Sequence, residues 1–375
     1  MRQLGVQIEH EGTDVIVHGV GPKGLKKPHG PLDCGNSGTT MRLLAGILAS
    51  QEFESVLTGD ASLRLRPMQR IIQPLEKMGA SITSEDGLAP LSIRGRGLRG
   101  MDHRTPVPSA QIKSCILLAG LFAEGKTVVS EATQSRDHTE RMLRTLGVEV
   151  HQADVHGVST CSIEGRSKLA ATDIIVPGDI SSAAFFIIAA ACLPNSDLTL
   201  GGVGINPTRS TLLDILKTVG VNLKVTEIGN APEPIASISV AGGMDAADRT
   251  VLDGATVAKI IDEIPILAVL GTRLRGGLEV RGAQELRLKE SDRIKAIVDN
   301  LRRMGAEVSE FDDGFRVAAS RLNAAKVDSR GDHRIAMAFA VAGLLATGET
   351  EILGHECADV SYPGFFPQLE AIAVR

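Results

Sequence analysis

EKMGASITS (76–84) is the stretch on which the fold turns. An apolar helix end is followed by one glycine and then by alternating apolar and polar residues. Glycine just past a helix end supplies the left-handed cap, and the alternation reads as a strand. The same junction returns in RQLGVQIEH (2–10), RTLGVEVHQ (144–152), KTVGVNLKV (217–225) and RRMGAEVSE (302–310). The glycines are Gly5, Gly79, Gly147, Gly220 and Gly305, at intervals of 74, 68, 73 and 85 residues. Five such junctions at near-constant spacing predict a repeated α/β unit of about 70 residues.

Two copies are expected to be incomplete. Residues 1–4 read as the tail of a helix. The segment YPGFFPQLEAIAVR (362–375) reads as the helix of a further unit whose glycine and strand do not follow. The expectation is a six-unit protein whose first unit is truncated, short by several tens of residues at its N-terminus. The pattern resets with a Pro-Gly turn inside SKLAATDIIVPGDISSAA (167–184), which places a hinge near 170–177. The expected lobes are 1–174, with the truncated repeat and two more, and 175–375, with three.

Composition narrows the function classes. The 375 residues are 43% hydrophobic and 23% charged, with a net charge of −5, so a whole-chain basic footprint for nucleic acid is absent. With no Trp and one Tyr, stacking platforms for single strands are not expected either. The five cysteines (Cys34, Cys115, Cys161, Cys192, Cys357) are scattered and form no CxxC pair, which argues against a disulfide framework or a zinc site. MRQLGVQIEHEG (1–12) lacks the apolar core of a secretion signal. The longest apolar run, AAFFIIAAACL (183–193), is 11 residues, the length of a buried helix rather than a membrane span. A cytoplasmic protein is expected.

Cations gather where helices should begin. GNSGTTMR (35–42) opens a helix with Arg42; VPSAQIKSCILLAGLFA (107–123) has Lys113 in its first turn. LRLKESDRIKAIVDNLRRMG (286–305) places Lys289 and Arg293 around a helix start, and SRGDHRIAMAFAVAGLLA (329–346) opens with His333 and Arg334. A helix N-terminus repels cations unless an anion neutralises them, and its free N–H groups bind anions. Several helix starts converging on anionic ligands, with Arg and Lys completing the sites, is the reading that accounts for all four. LTGDASLRLRPMQ (57–69) adds Arg64 and Arg66 before a further helix, and TQSRDHTERML (133–143) adds Ser135, Arg136 and His138. Asp262 and Glu263 precede Pro265 in VAKIIDEIPILAVLG (257–271), where proline at the helix start places both carboxylates at the cap. Glu290, between Lys289 and Arg293, reads either as an ion pair or as a general acid/base.

Taken together, GNSGTTMR, LTGDASLRLRP, SAQIKS, IIDEIPILA, LRLKESDRI and GDHRIAMAF resemble the enolpyruvyl transferases, on the branch acting in the shikimate pathway, over essentially the whole chain. The resemblance implies a two-lobed inside-out α/β barrel of βαβαββ units, helices within and sheets outside. It implies transfer of the enolpyruvyl group of phosphoenolpyruvate to the 5-hydroxyl of shikimate 3-phosphate, by addition and elimination, without metal or organic cofactor, in a monomer. By the same resemblance Ser109, Gln111, Ser135, Asp262 and Lys289 would bind shikimate 3-phosphate. Gly38, Arg66, Gln111, Arg293 and Arg334 would bind phosphoenolpyruvate. Asp262 would be the base for the 5-hydroxyl and Glu290 the proton carrier at the methylene carbon. Asn36, Arg42, Arg136 and His333 would support them. Gly38 also matches the glycine that leaves room for the inhibitor glyphosate.

Three departures stand out. The family usually opens with a PGDKSISHR-like segment whose lysine contacts both substrates, and none is present in these 375 residues. Position 110 is alanine where many members have serine, and VSYPGFF (360–366) lacks a lysine found near the C-terminus of many. The missing lysine leaves open a non-catalytic phosphometabolite-binding remnant. The amino-sugar enolpyruvyl transferase of cell-wall synthesis fits less well: its first-lobe loop commonly holds a reactive cysteine, and residues 57–69 have none.

Overall fold

A computed structural model describes residues 1–12, 14–230, 232–244 and 250–373. The chain divides into two compact units, Met1–Asp173 and Ile174–Arg375.

Unit 1 opens with a 3-10 turn (Arg2–Leu4) and the antiparallel pair β1 (Gln7–Glu11) and β2 (Asp14–His18). Then come β3 (Leu32–Asp33), α1 (Gly38–Leu48), β4 (Glu54–Thr58), α2 (Ala61–Arg64), α3 (Gln69–Met78), β5 (Ser81–Glu85) and β6 (Leu88–Arg94). The pattern repeats as β7 (Asp102–Arg104), α4 (Ala110–Gly120), β8 (Lys126–Glu131), α5 (His138–Thr145), β9 (Val150–Val155) and β10 (Val158–Glu164). The strands lie in the orders β3-β4-β6-β5 and β7-β8-β10-β9. In each sheet the first pair is parallel, with Leu32 opposite Leu57 and Asp102 opposite Val128, and the other pairs are antiparallel. A parallel pair needs a crossover helix and an antiparallel pair only a tight turn. The βαβαββ order follows.

Unit 2 continues with α6 (Ile180–Cys192), β11 (Asp197–Gly204), α7 (Thr211–Thr218), β12 (Asn222–Gly229) and β13 (Ile235–Ala241). Next are β14 (Thr250–Leu252), α8 (Gly254–Lys259), α9 (Ile264–Gly271), β15 (Leu278–Val280), α10 (Arg293–Arg303), β16 (Val308–Phe311) and β17 (Gly314–Val317). Last are β18 (Lys326–Asp328), α11 (His333–Leu345), β19 (Glu351–Leu353) and α12 (Phe365–Ile372). The order β14-β15-β17-β16 repeats that of unit 1. In the sheet β11-β13-β12 a single parallel bridge from Gly178 to Val203 stands where a first strand would lie. β18 and β19 form a parallel pair.

All five junction glycines have positive φ: Gly5 83°, Gly79 117°, Gly147 86°, Gly220 86° and Gly305 84°. Each reverses the chain from a helix or 3-10 turn into the strand that follows, a backbone conformation that costs other residues energy.

In unit 2 two of the central helices are almost wholly enclosed. α9 is buried at every position and α6 at every position but Ser182, as expected of helices enclosed by other elements. In unit 2, α6, α9 and α11 pack on one another, and Phe185 and Phe186 receive Phe365 of α12. In unit 1, α1 and α4 pack so closely that a Cβ on Gly46 would lie 2.3 Å from the Cys115 carbonyl oxygen. These packed helices fix where their N-terminal ends, and the polar side chains there, come to rest.

Candidate active site

In unit 1 the starts of α1, α4 and α5 come together through side-chain bonds. Ser37 caps α1, its Oγ accepting the Thr40 N–H at 3.1 Å. From the preceding loop, Asn36 donates to Asp60 at 2.7 Å and accepts from Arg66 Nη2 at 2.7 Å. Arg66 is thereby held over the helix start. A Cβ built on Gly38 would stand 3.6 Å from Arg66 Nη1 and 3.9 Å from Arg42 Nη1. The bare glycine thus leaves a gap between two guanidinium groups.

Arg42 lies one turn into α1 and donates to Gln111 Oε1 on α4, and Gln111 Nε2 donates to Thr39 Oγ1 at 2.6 Å. The cation is therefore drawn across to α4 rather than left at the helix end. Ser109 caps α4. Ser135, in the loop before α5, has a hydroxyl shut off from solvent and without a hydrogen-bond partner among the described residues. Arg136 beside it is half-buried.

Lys113 has a different role from the one its position suggests. It is 2% exposed, and its Nζ lies 2.8 Å from Glu131 Oε2 and 2.8 Å from Glu140 Oε1. Burial works against its charge, but Glu140 and Glu131 outweigh this and raise its pKa. The ammonium at this helix start is neutralised inside the protein. Position in the sequence did not disclose that, because both carboxylates come from later elements.

In unit 2 the centre is Asp262, in the turn before α9. Its Oδ1 lies 3.5 Å from Arg293 Nη1, 3.9 Å from Lys289 Nζ and 4.0 Å from Arg334 Nε, and its carbonyl accepts from Arg334 Nη1 at 3.2 Å. Arg293, 1% exposed, also binds Glu290 Oε2 through Nη2 and Asp332 Oδ2 through Nε, the latter at 2.8 Å. One buried guanidinium thus arranges three carboxylates.

Asp332 is the residue that motif reading passed over. It caps α11, accepting the Arg334 N–H at 2.9 Å, and accepts from Ser291 Oγ at 3.2 Å. Burial would raise its carboxyl, but the Arg293 charge and hydrogen bond hold it below the ordinary carboxylate range. Next to it, burial and the Arg334 charge push His333 below the ordinary imidazole range, so the ring is neutral near pH 7.

Glu263 likewise corrects an expectation. It holds the cap position of α9 without a capping bond. Instead its Oε1 accepts from Ser181 Oγ, to which Arg209 Nη2 also donates, and lies 3.4 Å from Arg209 Nη1. All three side chains are buried. The residue following Asp262 is thus anchored in the core. Asp179 does cap its helix, accepting the Ser181 N–H at 3.1 Å.

Burial pushes Cys115, Cys161 and Cys192 up to about 12, which leaves them unreactive thiols. Among the described residues no cluster of His, Cys, Asp or Glu is arranged to hold a metal ion. Among them too, no helix is long and apolar enough to cross a membrane.

Each unit therefore brings helix starts, arginine or lysine side chains and polar donors to one place, which is the chemistry of binding small polyanions. Comparison with known proteins agrees. Residues 1–369 match the family described as EPSP synthase (3-phosphoshikimate 1-carboxyvinyltransferase). The 3-phosphoshikimate 1-carboxyvinyltransferase of Koribacter versatilis is 48% identical, over 100% of this chain and 87% of that protein. The one of Solibacter usitatus is 49% identical, with the same coverage. The solved structure of EPSP synthase from Acinetobacter baumannii superposes with a TM-score of 0.86 at 44% identity, over 99% of this chain and 85% of that one. The chain belongs to the EPSP synthase family.

Proposed function

We infer that the chain transfers the enolpyruvyl group of phosphoenolpyruvate to the 5-hydroxyl of shikimate 3-phosphate and releases phosphate, a step of the shikimate pathway. The observation that supports this most strongly is Asp262 within 4.0 Å of three cationic side chains, Lys289, Arg293 and Arg334, with Glu290 bonded to the same Arg293. Paired carboxylates among cations suit proton transfers on polyanionic substrates.

Each residue has a proposed role. Asp262 takes the 5-hydroxyl proton as that oxygen attacks C2 of phosphoenolpyruvate. Glu290 delivers a proton to the methylene carbon, so that C3 becomes a methyl group in a tetrahedral adduct. It then removes a proton from that methyl as phosphate leaves, restoring the double bond. Lys289, Ser109, Gln111 and Ser135 hold shikimate 3-phosphate. Gly38, Arg66, Gln111, Arg293 and Arg334 hold phosphoenolpyruvate. Asn36 and Arg42 orient Arg66 and Gln111, as their bonds to those side chains support. Arg136 and His333 support the phosphate and carboxylate ends. Lobes of 1–174 and 175–375, a cytoplasmic location, a monomeric state and chemistry without metal or organic cofactor belong to the same proposal.

The experiment is the reaction run in D2O with the purified chain. An adduct with a methyl group predicts deuterium in the methylene of the product, seen by NMR. Product formed with no deuterium at that carbon would rule out the protonation assigned to Glu290.

A further inference from the structure

Between the two serines assigned to the shikimate phosphate lies a carboxylate that no role above includes. Glu131 closes strand β8 and is 1% exposed. Its Oε1 accepts the backbone N–H of Ser109 at 3.3 Å, and its Oε2 accepts the backbone N–H of Ser135 at 3.2 Å. Lys113 Nζ lies 2.8 Å from Oε2 and donates to the Ser135 carbonyl at 3.4 Å. One side chain and its counter-ion thus join the cap of α4 to the loop before α5.

This linkage has a consequence for the hydroxyls. Ser135 Oγ is sealed from solvent and has no partner among the described residues, a state that costs free energy unless something else bonds to it. Among the described residues Ser109 Oγ accepts, at 3.5 Å, from the Ile112 N–H and donates to none of them, so its own proton is left to donate. With both backbone N–H groups turned toward Glu131, the two hydroxyls remain as the donors for an incoming anion. A buried carboxylate near a phosphate site would repel the ligand if unscreened. Lys113, held charged by Glu140 and Glu131, offsets that repulsion.

We propose that Glu131 is a positioning residue: its carboxylate sets the separation and orientation of Ser109 and Ser135 and so tunes affinity for the phosphate of shikimate 3-phosphate. The proposal rests on the assignment of those serines to that substrate. Glu131 touches no substrate itself. Lys113 is its counter-ion, and Glu140 is a second anchor for Lys113 with no bond to either serine.

The test compares steady-state kinetics of folded variants. Glu131→Gln puts an amide donor against one of the two N–H groups. It should raise the KM for shikimate 3-phosphate about tenfold, the loss of one charge-assisted hydrogen bond, while the KM for phosphoenolpyruvate and kcat move less than about threefold. Should that variant fail to fold, Glu131→Asp keeps the charge beside Lys113 but loses the reach to hold both N–H groups. It should then show the same selective rise. Glu140→Gln leaves the serine linkage whole and should leave the KM for shikimate 3-phosphate unchanged. An unchanged KM in the Glu131 variants overturns the proposal. So does an equal rise in Glu140→Gln, which would make the effect one of buried charge alone. Ser135→Ala and Ser109→Ala separate this from the reading beneath it. If they do not raise that KM, the serine assignment fails. If they do and the Glu131 variants do not, only the positioning role fails.

Discussion

Arg293 Nε lies 2.8 Å from Asp332 Oδ2, with the two side chains 1% and 0% exposed. This buried pair supports the candidate site from beneath: the same guanidinium reaches Asp262 and Glu290, and the same carboxylate caps the helix that presents Arg334. Removing one partner of such a pair leaves an under-compensated buried charge.

Asp332→Asn should therefore destabilise the protein by about 3 kcal/mol or more and lower turnover as Asp262 and Glu290 lose their alignment. Chemical denaturation checks the first and phosphate release the second. A variant as stable and as active as the parent would show that the pair organises nothing.

The same pair predicts a pH dependence. The Asp332 carboxyl is held below its ordinary value of 3.8. A carboxyl with a lowered folded pKa contributes stability that is present above the unfolded value and lost as pH falls through the folded one. The parent should lose stability as pH falls below about 4, and Asp332→Asn should lose less over that window. Denaturation midpoints measured at stepped pH values decide it.

Glu140 has the opposite sign. Burial outweighs Lys113 and raises its carboxyl above the ordinary 4.5. A raised carboxyl contributes stability that is full below the unfolded value and lost as pH rises through the folded one. Glu140→Gln cannot ionise, so its stability relative to the parent should grow as pH rises from about 4.5. A relative stability that falls over the same range would contradict this.

Gly38→Ala should fold normally, since its Cβ would meet neighbours only at 3.6 Å and beyond and Gly38 has no positive φ. The added methyl would still occupy the gap between Arg66 and Arg42. The KM for phosphoenolpyruvate and the inhibition constant of glyphosate should both rise, by about tenfold or more for the bulkier inhibitor. Unchanged values for both would place the anion elsewhere.

The repeat was readable because its punctuation is local. Gly79 and Gly305 sit at φ 117° and 84°, where a side chain is strained, and the helix before and strand after each show in the nearest ten residues. The cationic helix starts were legible for the same reason. Their partners were not. Lys113 finds Glu131 18 residues away, Arg293 finds Asp332 39 residues away, and Glu263 finds Ser181 82 residues away. Which charge meets which depends on how helices and strands pack within and between repeats, and that leaves no mark at short range. Lys113 thus read as a ligand cation, Glu263 as a helix cap, and Asp332 not at all.

The most direct measurement is phosphate release from phosphoenolpyruvate and shikimate 3-phosphate by the purified chain and by Asp262→Ala. The role assigned to Asp262 predicts turnover by the parent and a kcat lower by about 10²–10⁴ in the variant, the range a general base supplies. Equal rates in the two proteins, or no phosphate from the parent, would contradict it.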